Sequence, residues 1–148
     1  MQFVHLNVHS HYSPGWGMAT LEELCHSAKE QGMDRLALTD TNGLYGLITF
    51  VEEAKDKGLH PIVGSEIVTD EHRAVLLVRD HDGYANLCRI ISARQCHRDF
   101  DLIASLKEMR HGLIVFSDDF PLLKALRKAG MEDLFVEMSP GYNMAVCY

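Results

Sequence analysis

A short unit recurs four times along this chain and limits the folds that it can adopt: an amphipathic helix, a glycine and, a few residues later, an apolar strand. The glycines are Gly32, Gly58, Gly112 and Gly130. A glycine just past a helix end takes a left-handed conformation in which the last carbonyls find hydrogen-bond donors. Strands that alternate with helices favour right-handed crossovers, so the pattern predicts an α/β fold with a mainly parallel sheet or barrel.

The spacing of apolar residues places the individual elements. Helices are predicted at about 20–31, 46–57, 82–95 and 120–129. Strands are predicted at 35–39, 61–63, 113–116 and 134–137, after an opening strand that begins at Phe3, and a hairpin pairs 67–69 with 74–78. No linker divides the chain, so residues 1–148 are predicted to form one domain. Residues 139–148 start a new segment and then stop, which predicts a fragment of a longer protein.

Charge and composition narrow the functional classes. The formal net charge of −7 argues against a protein that binds nucleic acid by itself, because phosphate recognition needs a basic face. No apolar run reaches the roughly 20 residues that cross a bilayer, and the N-terminus lacks a signal-peptide pattern, so we expect a cytoplasmic protein without a membrane partner. The four cysteines form no CxxC pair, and a structural role is expected for them.

Polar side chains follow four of the predicted strands, in residues 7–13, 39–42, 64–66 and 117–119. In parallel α/β folds, ligands bind outside the carboxyl ends of the strands. The sequence therefore predicts a site at one edge of the sheet. Its polar residues include His9, His11, Asp40 and Glu66, whose side chains are of types that can act as ligands.

The same segments carry a resemblance to a known family. Residues 3–13 (FVHLNVHSHYS) resemble the LHxHS opening strand of PHP (polymerase and histidinol phosphatase) domains, and residues 36–46 (LALTDTNGLYG) resemble the TDH segment. Residues 61–66 (PIVGSE) resemble the PIxGxE segment. Residues 74–92 are similar to a block of DNA polymerase III alpha subunits rather than of histidinol phosphatases. The chain thus resembles the N-terminal PHP domain of a C-family bacterial polymerase, of the alpha-like or error-prone branch.

That resemblance implies a distorted βα barrel, of which this chain would supply the first half to two-thirds. It also implies a metal site, because active members hold divalent cations such as Zn²⁺ or Mn²⁺ on histidines and carboxylates and use them to activate water against a phosphate ester. The Mg²⁺ of the parent polymerase would be held by carboxylates that lie far downstream in the family.

Carried across position by position, the family's metal site has lost ligands in this chain. Histidine positions of the family are occupied by Asn7, Thr41 and Arg73, and an aspartate position falls at Trp16. Only His9 and Glu66 stand at matched ligand positions, although Asp40 remains in its segment. Catalytic zinc usually needs three protein ligands, so a degenerate site is predicted unless His11, Asp118 or Asp119 compensates.

The replacement of a histidine by Arg73 suggests that a salt bridge substitutes for the metal. A guanidinium repels divalent cations and can pair with Glu66 and Asp40 instead. His72, one residue away, is expected to point to the other face of its strand. Asp118 and Asp119 are also explained as the N-cap and first-turn acid of the next helix.

The leading interpretation is therefore a PHP domain with a degenerate phosphoesterase site, which acts as a scaffold within a replication or translesion polymerase. Its partners would be the rest of the polymerase chain and an exonuclease subunit, and DNA would be reached through the parent protein. Two alternatives stay open: an active metal-dependent phosphoesterase or 3′–5′ exonuclease, and a pure protein-interaction module. By itself the chain is not expected to polymerise DNA.

Overall fold

A computed structural model describes residues 3–138 of the chain. In this part the helices are α1 (Leu21–Glu30), α2 (Leu47–Asp56), α3 (His81–Cys96), α4 (Leu102–Glu108) and α5 (Phe120–Lys128). The strands are β1 (Arg35–Leu38), β2 (His60–Val68), β3 (Arg73–Val78), β4 (Leu113–Ser117) and β5 (Leu134–Val136). The final segment, 139–148, lies outside the described residues, and so does the interpretation that it marks a fragment.

The five strands form one sheet in the order β1-β2-β3-β4-β5. The β1–β2 and β4–β5 pairs are parallel, whereas β3 is antiparallel to both of its neighbours. The predicted hairpin is confirmed, and the other four strands run in one direction, in agreement with a mainly parallel arrangement. The turn at residues 69–72 is too short for a crossover connection, so β3 must return beside β2 in the opposite direction.

This reversal decides which residues meet at the edge of the sheet. The start of β3 lies beside the end of β2, with Arg73 opposite Val68. Ser117, at the end of β4, donates a hydrogen bond from its hydroxyl to the carbonyl oxygen of Arg73. Arg73 therefore shares an edge with the carboxyl ends of the other strands.

The opening strand predicted from Phe3 is not a strand of this sheet. The segment runs beside β1, with hydrogen bonds from Ala37 N to His5 O (3.2 Å) and from Thr39 N to Val8 O (2.8 Å). Two residues along β1 thus match three along the N-terminal segment, and the extra residue interrupts a regular ladder. The segment still follows the strand edge and delivers its polar residues there.

Two other differences concern the extent of a strand and a helix that was not predicted. The separate strands predicted at 61–63 and 67–69 are one continuous strand, β2. Helix α4 was not predicted, although its signals are present: Asp101 caps it by accepting a hydrogen bond from Ala104 N at 3.0 Å, and Leu102 and Leu106 are buried four residues apart. The glycines that defined the repeated unit all have positive φ angles, between 68° and 78°, as predicted.

The core is divided among three clusters. One packs α3, α4 and α5 on the sheet, and a second packs α1 and α2 around Leu36 and Leu38 of β1. The third contains only strand residues in the described part of the chain: Ala37, Ile62, Val75, Leu77, Ile114 and Phe116. Strand β3 contributes Ala74 and Leu76 to the first cluster and Val75 and Leu77 to the third, so both of its faces are covered. None of the helices in residues 3–138 has both the length and the apolar sequence that a bilayer crossing requires.

We expect Gly83→Ala to destabilise the fold, although alanine normally stabilises a helix relative to glycine by about 1 kcal/mol. A Cβ at Gly83, in the first turn of α3, would lie 1.8 Å from the carbonyl oxygen of Gly112. The free energy of unfolding in urea should therefore fall by about 1–3 kcal/mol, as in other overpacked sites. Ser92→Ala, at an exposed position of the same helix, is the matched control and should be neutral or slightly stabilising. A more stable Gly83→Ala protein would contradict the close approach of α3 to Gly112.

Candidate functional site

The candidate site lies at the sheet edge where the N-terminal segment, the end of β2, the start of β3 and the residue after β5 meet. At its centre is Glu66, whose side chain is 1% exposed. One carboxylate oxygen lies 3.0 Å from Nε2 of His9, and the other accepts a hydrogen bond from Nη1 of Arg73 at 2.7 Å. Thr41 donates a longer bond of 3.4 Å to the oxygen that His9 contacts. Both oxygens of this buried carboxylate are therefore occupied by donors from the protein.

Arg73 connects three carboxylates that come from different parts of the chain. Besides Glu66, its Nη2 atom lies 3.3 Å from Oδ1 of Asp118 and forms a short ion pair with Oε2 of Glu137. Planar guanidinium is suited to several simultaneous carboxylate contacts because its five N–H donors lie in a fixed fork. The expected pairing with Glu66 is observed, whereas the expected pairing with Asp40 is not: Asp40 bonds elsewhere.

Asn7 is joined to the same cluster through Glu137. Its Nδ2 donates to Oε1 of Glu137 at 2.9 Å, and its Oδ1 accepts from the Thr39 hydroxyl at 3.0 Å. The Thr39 oxygen in turn accepts from Val8 N at 2.8 Å. The position where the family would have a histidine is therefore filled by an amide that uses both its donor and its acceptor.

The ionisation of the central pair follows from these contacts. Burial opposes the charged form of Glu66, but the hydrogen bond and charge of His9 and the charge of Arg73 outweigh it, and the pKa of Glu66 is lowered from its usual 4.5. Burial likewise opposes the charge of Arg73, and the carboxylates of Glu137, Glu66 and Asp118 outweigh that effect and raise its pKa. Each of these two central groups is thus stabilised in its charged form by neighbours of opposite charge.

Two candidate ligands predicted from the sequence have side chains that are engaged with residues other than Glu66, although the Asp40 carbonyl accepts a hydrogen bond from Glu66 N at 3.2 Å. Asp40 is buried and accepts hydrogen bonds from Ser10 N (2.7 Å), the Ser10 hydroxyl (2.8 Å) and the Ser13 hydroxyl (2.7 Å). These bonds fix the loop that follows the N-terminal segment. His11 is exposed and lies against the Tyr12 ring, with 4.3 Å between the ring centroids. The side chains of Asp40 and His11 therefore do not join His9 at Glu66.

The neighbouring candidates have separate positions as well. The predicted N-cap of α5 is present but is Asp119, which accepts from Leu122 N at 3.0 Å, and the first turn of this helix holds no acidic residue. The other oxygen of Asp119 lies 2.6 Å from Nδ1 of His72. His72 thus contacts Asp119 while Arg73 contacts Glu66, in agreement with the expected divergence of adjacent side chains. Trp16, 70% exposed, has its ring 6.1 Å from that of His9 and lies at the rim of the site.

Glu137 is a site residue that was not predicted from the sequence, and Thr39 was indicated only as part of the polar segment 39–42. Glu137 directly follows β5, so its position at a strand end was a usable signal. Its role as a partner of Asn7 and Arg73 depends on contacts between residues that are far apart in sequence, which no local pattern reveals.

The residues at this edge do not fit the divalent metal that the resemblance implies. Within residues 3–138, no three His, Cys, Asp or Glu side chains converge in an arrangement that could hold a metal ion. Among the carboxylates lies the guanidinium of Arg73, whose positive charge opposes a cation. The residues at this edge pair opposite charges and link distant segments of the chain.

We expect Glu66→Gln to lower the free energy of unfolding at pH 7 by about 3 kcal/mol, because it leaves Arg73 and His9 without the central charge. The folded-state pKa of Glu66 is depressed, so its stabilising contribution is complete above its usual pKa of 4.5 and is lost as the pH falls through the lowered value. The difference in free energy of unfolding between the wild-type and Glu66→Gln proteins, measured in urea, should therefore shrink as the pH falls through the lowered pKa of Glu66. Exposed Glu52→Gln is the control and should show no such pH dependence. An equal difference at all pH values would contradict the ionic role of Glu66.

Comparison with known proteins gives a consistent assignment. The PHP domain family matches residues 5–131. DNA polymerase III subunit alpha of Bacillus subtilis (strain 168) is 41% identical over 102 residues, which are 64% of this chain and 9% of that protein. The subunit of Buchnera aphidicola subsp. Schizaphis graminum (strain Sg) is 37% identical over 78% of this chain and 11% of its own length. An error-prone DNA polymerase of Anaeromyxobacter sp. (strain K) is 41% identical over 64% of this chain and 9% of its own length.

The chain thus spans about a tenth of the length of these curated relatives. The match to the family covers most of the chain and includes every element from α1 to α5. The resemblance noted in the sequence is therefore confirmed. This chain belongs to the PHP domain family and is similar to the N-terminal region of DNA polymerase III alpha subunits.

Proposed function

We propose that this chain is the PHP part of a bacterial polymerase III alpha-like protein and that its strand-end site has a structural role instead of a phosphoesterase role. The observation that carries the proposal is the position of the Arg73 guanidinium among Glu66, Asp118 and Glu137. A metal-dependent phosphoesterase needs a cation at such a place to activate water and to stabilise charge on the phosphoryl group. Here the compensating positive charge belongs to the protein.

The ligand set supports the same conclusion. Of the candidate ligands, His9 and Glu66 contact each other, while the side chains of Asp40 and His11 lie elsewhere. A bound Zn²⁺ or Mn²⁺ would need Glu66 to give up its bond with Arg73 and would then face a guanidinium next to it. We therefore propose that neither metal is held here and that this chain does not hydrolyse phosphate esters.

A scaffolding role agrees with the surfaces that the described residues leave open. Strand β5 pairs with β4 and exposes Phe135 (57%) and Val136 (51%). We propose that the third core cluster, built from strands, is part of the interior of the distorted βα barrel that the family resemblance implies and that the rest of the polymerase chain covers it. The rest of the polymerase is thus the first proposed partner, and an exonuclease subunit is the second.

The remaining functional proposals follow from that context. DNA and Mg²⁺ would be bound by other parts of the parent polymerase, which is consistent with the net charge of −7 on this chain. The setting would be the cytoplasm, where replication and translesion synthesis take place in bacteria.

Metal analysis tests the proposed structural role directly. After incubation with Zn²⁺ or Mn²⁺ and desalting, elemental analysis should find far less than one tightly held ion per chain, since Arg73 and His9 occupy both oxygens of Glu66. The same preparation should hydrolyse neither p-nitrophenyl phosphate nor the 3′ end of a DNA oligonucleotide. About one or more ions per chain would instead support the active phosphoesterase or exonuclease.

Variants identify the source of any bound metal. An authentic site would lose its ion in His9→Ala and Glu66→Ala but keep it in His97→Ala, which removes an exposed histidine at the end of α3. Such a result, together with chelator-sensitive hydrolysis, would overturn the structural role.

A further inference from the structure

We propose that Asn7, Glu137 and Arg73 form a coupled cross-link that holds the N-terminal segment on the sheet and makes this connection independent of metal. The inference rests on the proposed structural role and adds what the substituted residues do. Two family ligand positions, now Asn7 and Arg73, are linked to each other by one carboxylate. Asn7 and Arg73 thus take part in one hydrogen-bond network, although the two residues are far apart in sequence.

The carboxylate of Glu137 divides its two oxygens between the two partners. Oε1 accepts from the Asn7 amide, and Oε2 accepts from the Arg73 guanidinium. The ion pair with Arg73 holds the Glu137 carboxylate in the orientation from which Oε1 accepts from Asn7. Hydrogen bonds to an ionised acceptor are about twice as strong as neutral ones, and Asn7 depends on this orientation although it does not contact Arg73.

An amide suits the position of Asn7 better than the alternatives of similar size. It must donate to Glu137 and accept from Thr39, whose hydroxyl also contacts the backbone at Val8. An aspartate at this position would lack the donor and bring a negative charge against Glu137, and a leucine would leave both partners without a bond. The residue that looks like a lost ligand therefore completes a hydrogen-bond chain from β1 to the end of β5.

The cross-link matters because it ties the segment to the end of β5, whereas its other bonds run to β1, to Asp40 and to Glu66. The backbone bonds at β1 are those from Ala37 to His5 and from Thr39 to Val8, and an extra residue separates them. The Asn7–Glu137 bond joins residues that are 130 positions apart, so it brings together the two ends of the described chain. In an active member, cations bound by several strands could provide such a connection, whereas in this chain side chains provide it.

Hydrogen exchange of the 148-residue chain tests the proposal, because the amides of Ala37 and Thr39 are protected by the N-terminal segment. We expect Asn7→Ala to raise exchange at both amides about tenfold, the loss expected for a bond to a charged acceptor. Amides in the centre of β3, which report global unfolding, should change less. Equal acceleration at both places, or none at Ala37 and Thr39, would overturn the cross-link.

Coupling is tested with Arg73→Lys, which keeps a positive charge but loses the fork that reaches three carboxylates. If the two residues are coupled, the exchange rate at Ala37 and Thr39 in the Asn7→Ala/Arg73→Lys protein should be lower than independent effects predict. The expected rate is at least about threefold below the value obtained by multiplying the rate increases of the two single variants. Arg79→Lys is the matched control, since Arg79 makes an exposed ion pair with Asp133, and it should combine with Asn7→Ala without coupling. Independent effects of Asn7 and Arg73 would overturn the proposal.

A chelator separates failure of this inference from failure of the proposed function. EDTA should leave exchange at Ala37 and Thr39 unchanged in the wild-type chain. Faster exchange with EDTA would mean that a metal holds the segment, and both proposals would then fail. Exchange that is unaffected by EDTA, with no effect of Asn7→Ala, would overturn the cross-link alone.

Discussion

The arrangement of the site depends on the ion pair between Arg73 and the buried carboxylate of Glu66. A carboxylate that is almost fully removed from water is costly unless its charge is matched and its oxygens accept hydrogen bonds. Arg73 and His9 meet both requirements, and Thr41 adds a weaker contact. Asp118 and Glu137 also contact Arg73, so three carboxylates share one guanidinium and the carboxylates outnumber it. The geometry of these contacts therefore holds the cluster together as much as its net charge does.

The topology of the sheet makes this pairing available. Strand β3 reverses direction after the turn at 69–72, and its first residue is placed among the carboxyl ends of the parallel strands. An all-parallel sheet would put the start of that strand at the opposite edge. The antiparallel hairpin is thus the reason that a side chain from the start of a strand can occupy a position where ligands are usually bound.

Much of this organisation was predictable from local patterns. The helices, the hairpin and the strand-end location of the site follow from apolar spacing, glycines and polar residues, and the pairing of Arg73 with Glu66 follows from the resemblance. The reversal of β3 follows from the predicted hairpin, which the alternation of helices and strands alone does not record. The roles of Glu137 and Thr39 could not be predicted, because they depend on long-range contacts. The bonds of Asp40 to Ser10 and Ser13 were not anticipated either, because a buried aspartate bonded to serines has the same one-letter signal as a ligand.

The two buried faces of β3 have an evolutionary consequence. Ala74 and Leu76 enter one cluster while Val75 and Leu77 enter another, so a shift of the strand by one residue would exchange side chains of different volume in both clusters. His72 cannot be brought to Glu66 by such a slip without disrupting the core. A descendant of this chain could place an imidazole beside Glu66 from this strand only through a codon change at position 73, and that change would remove the cation that three carboxylates now contact. The packing of β3 thus restricts how the polar residue at this edge can change during evolution.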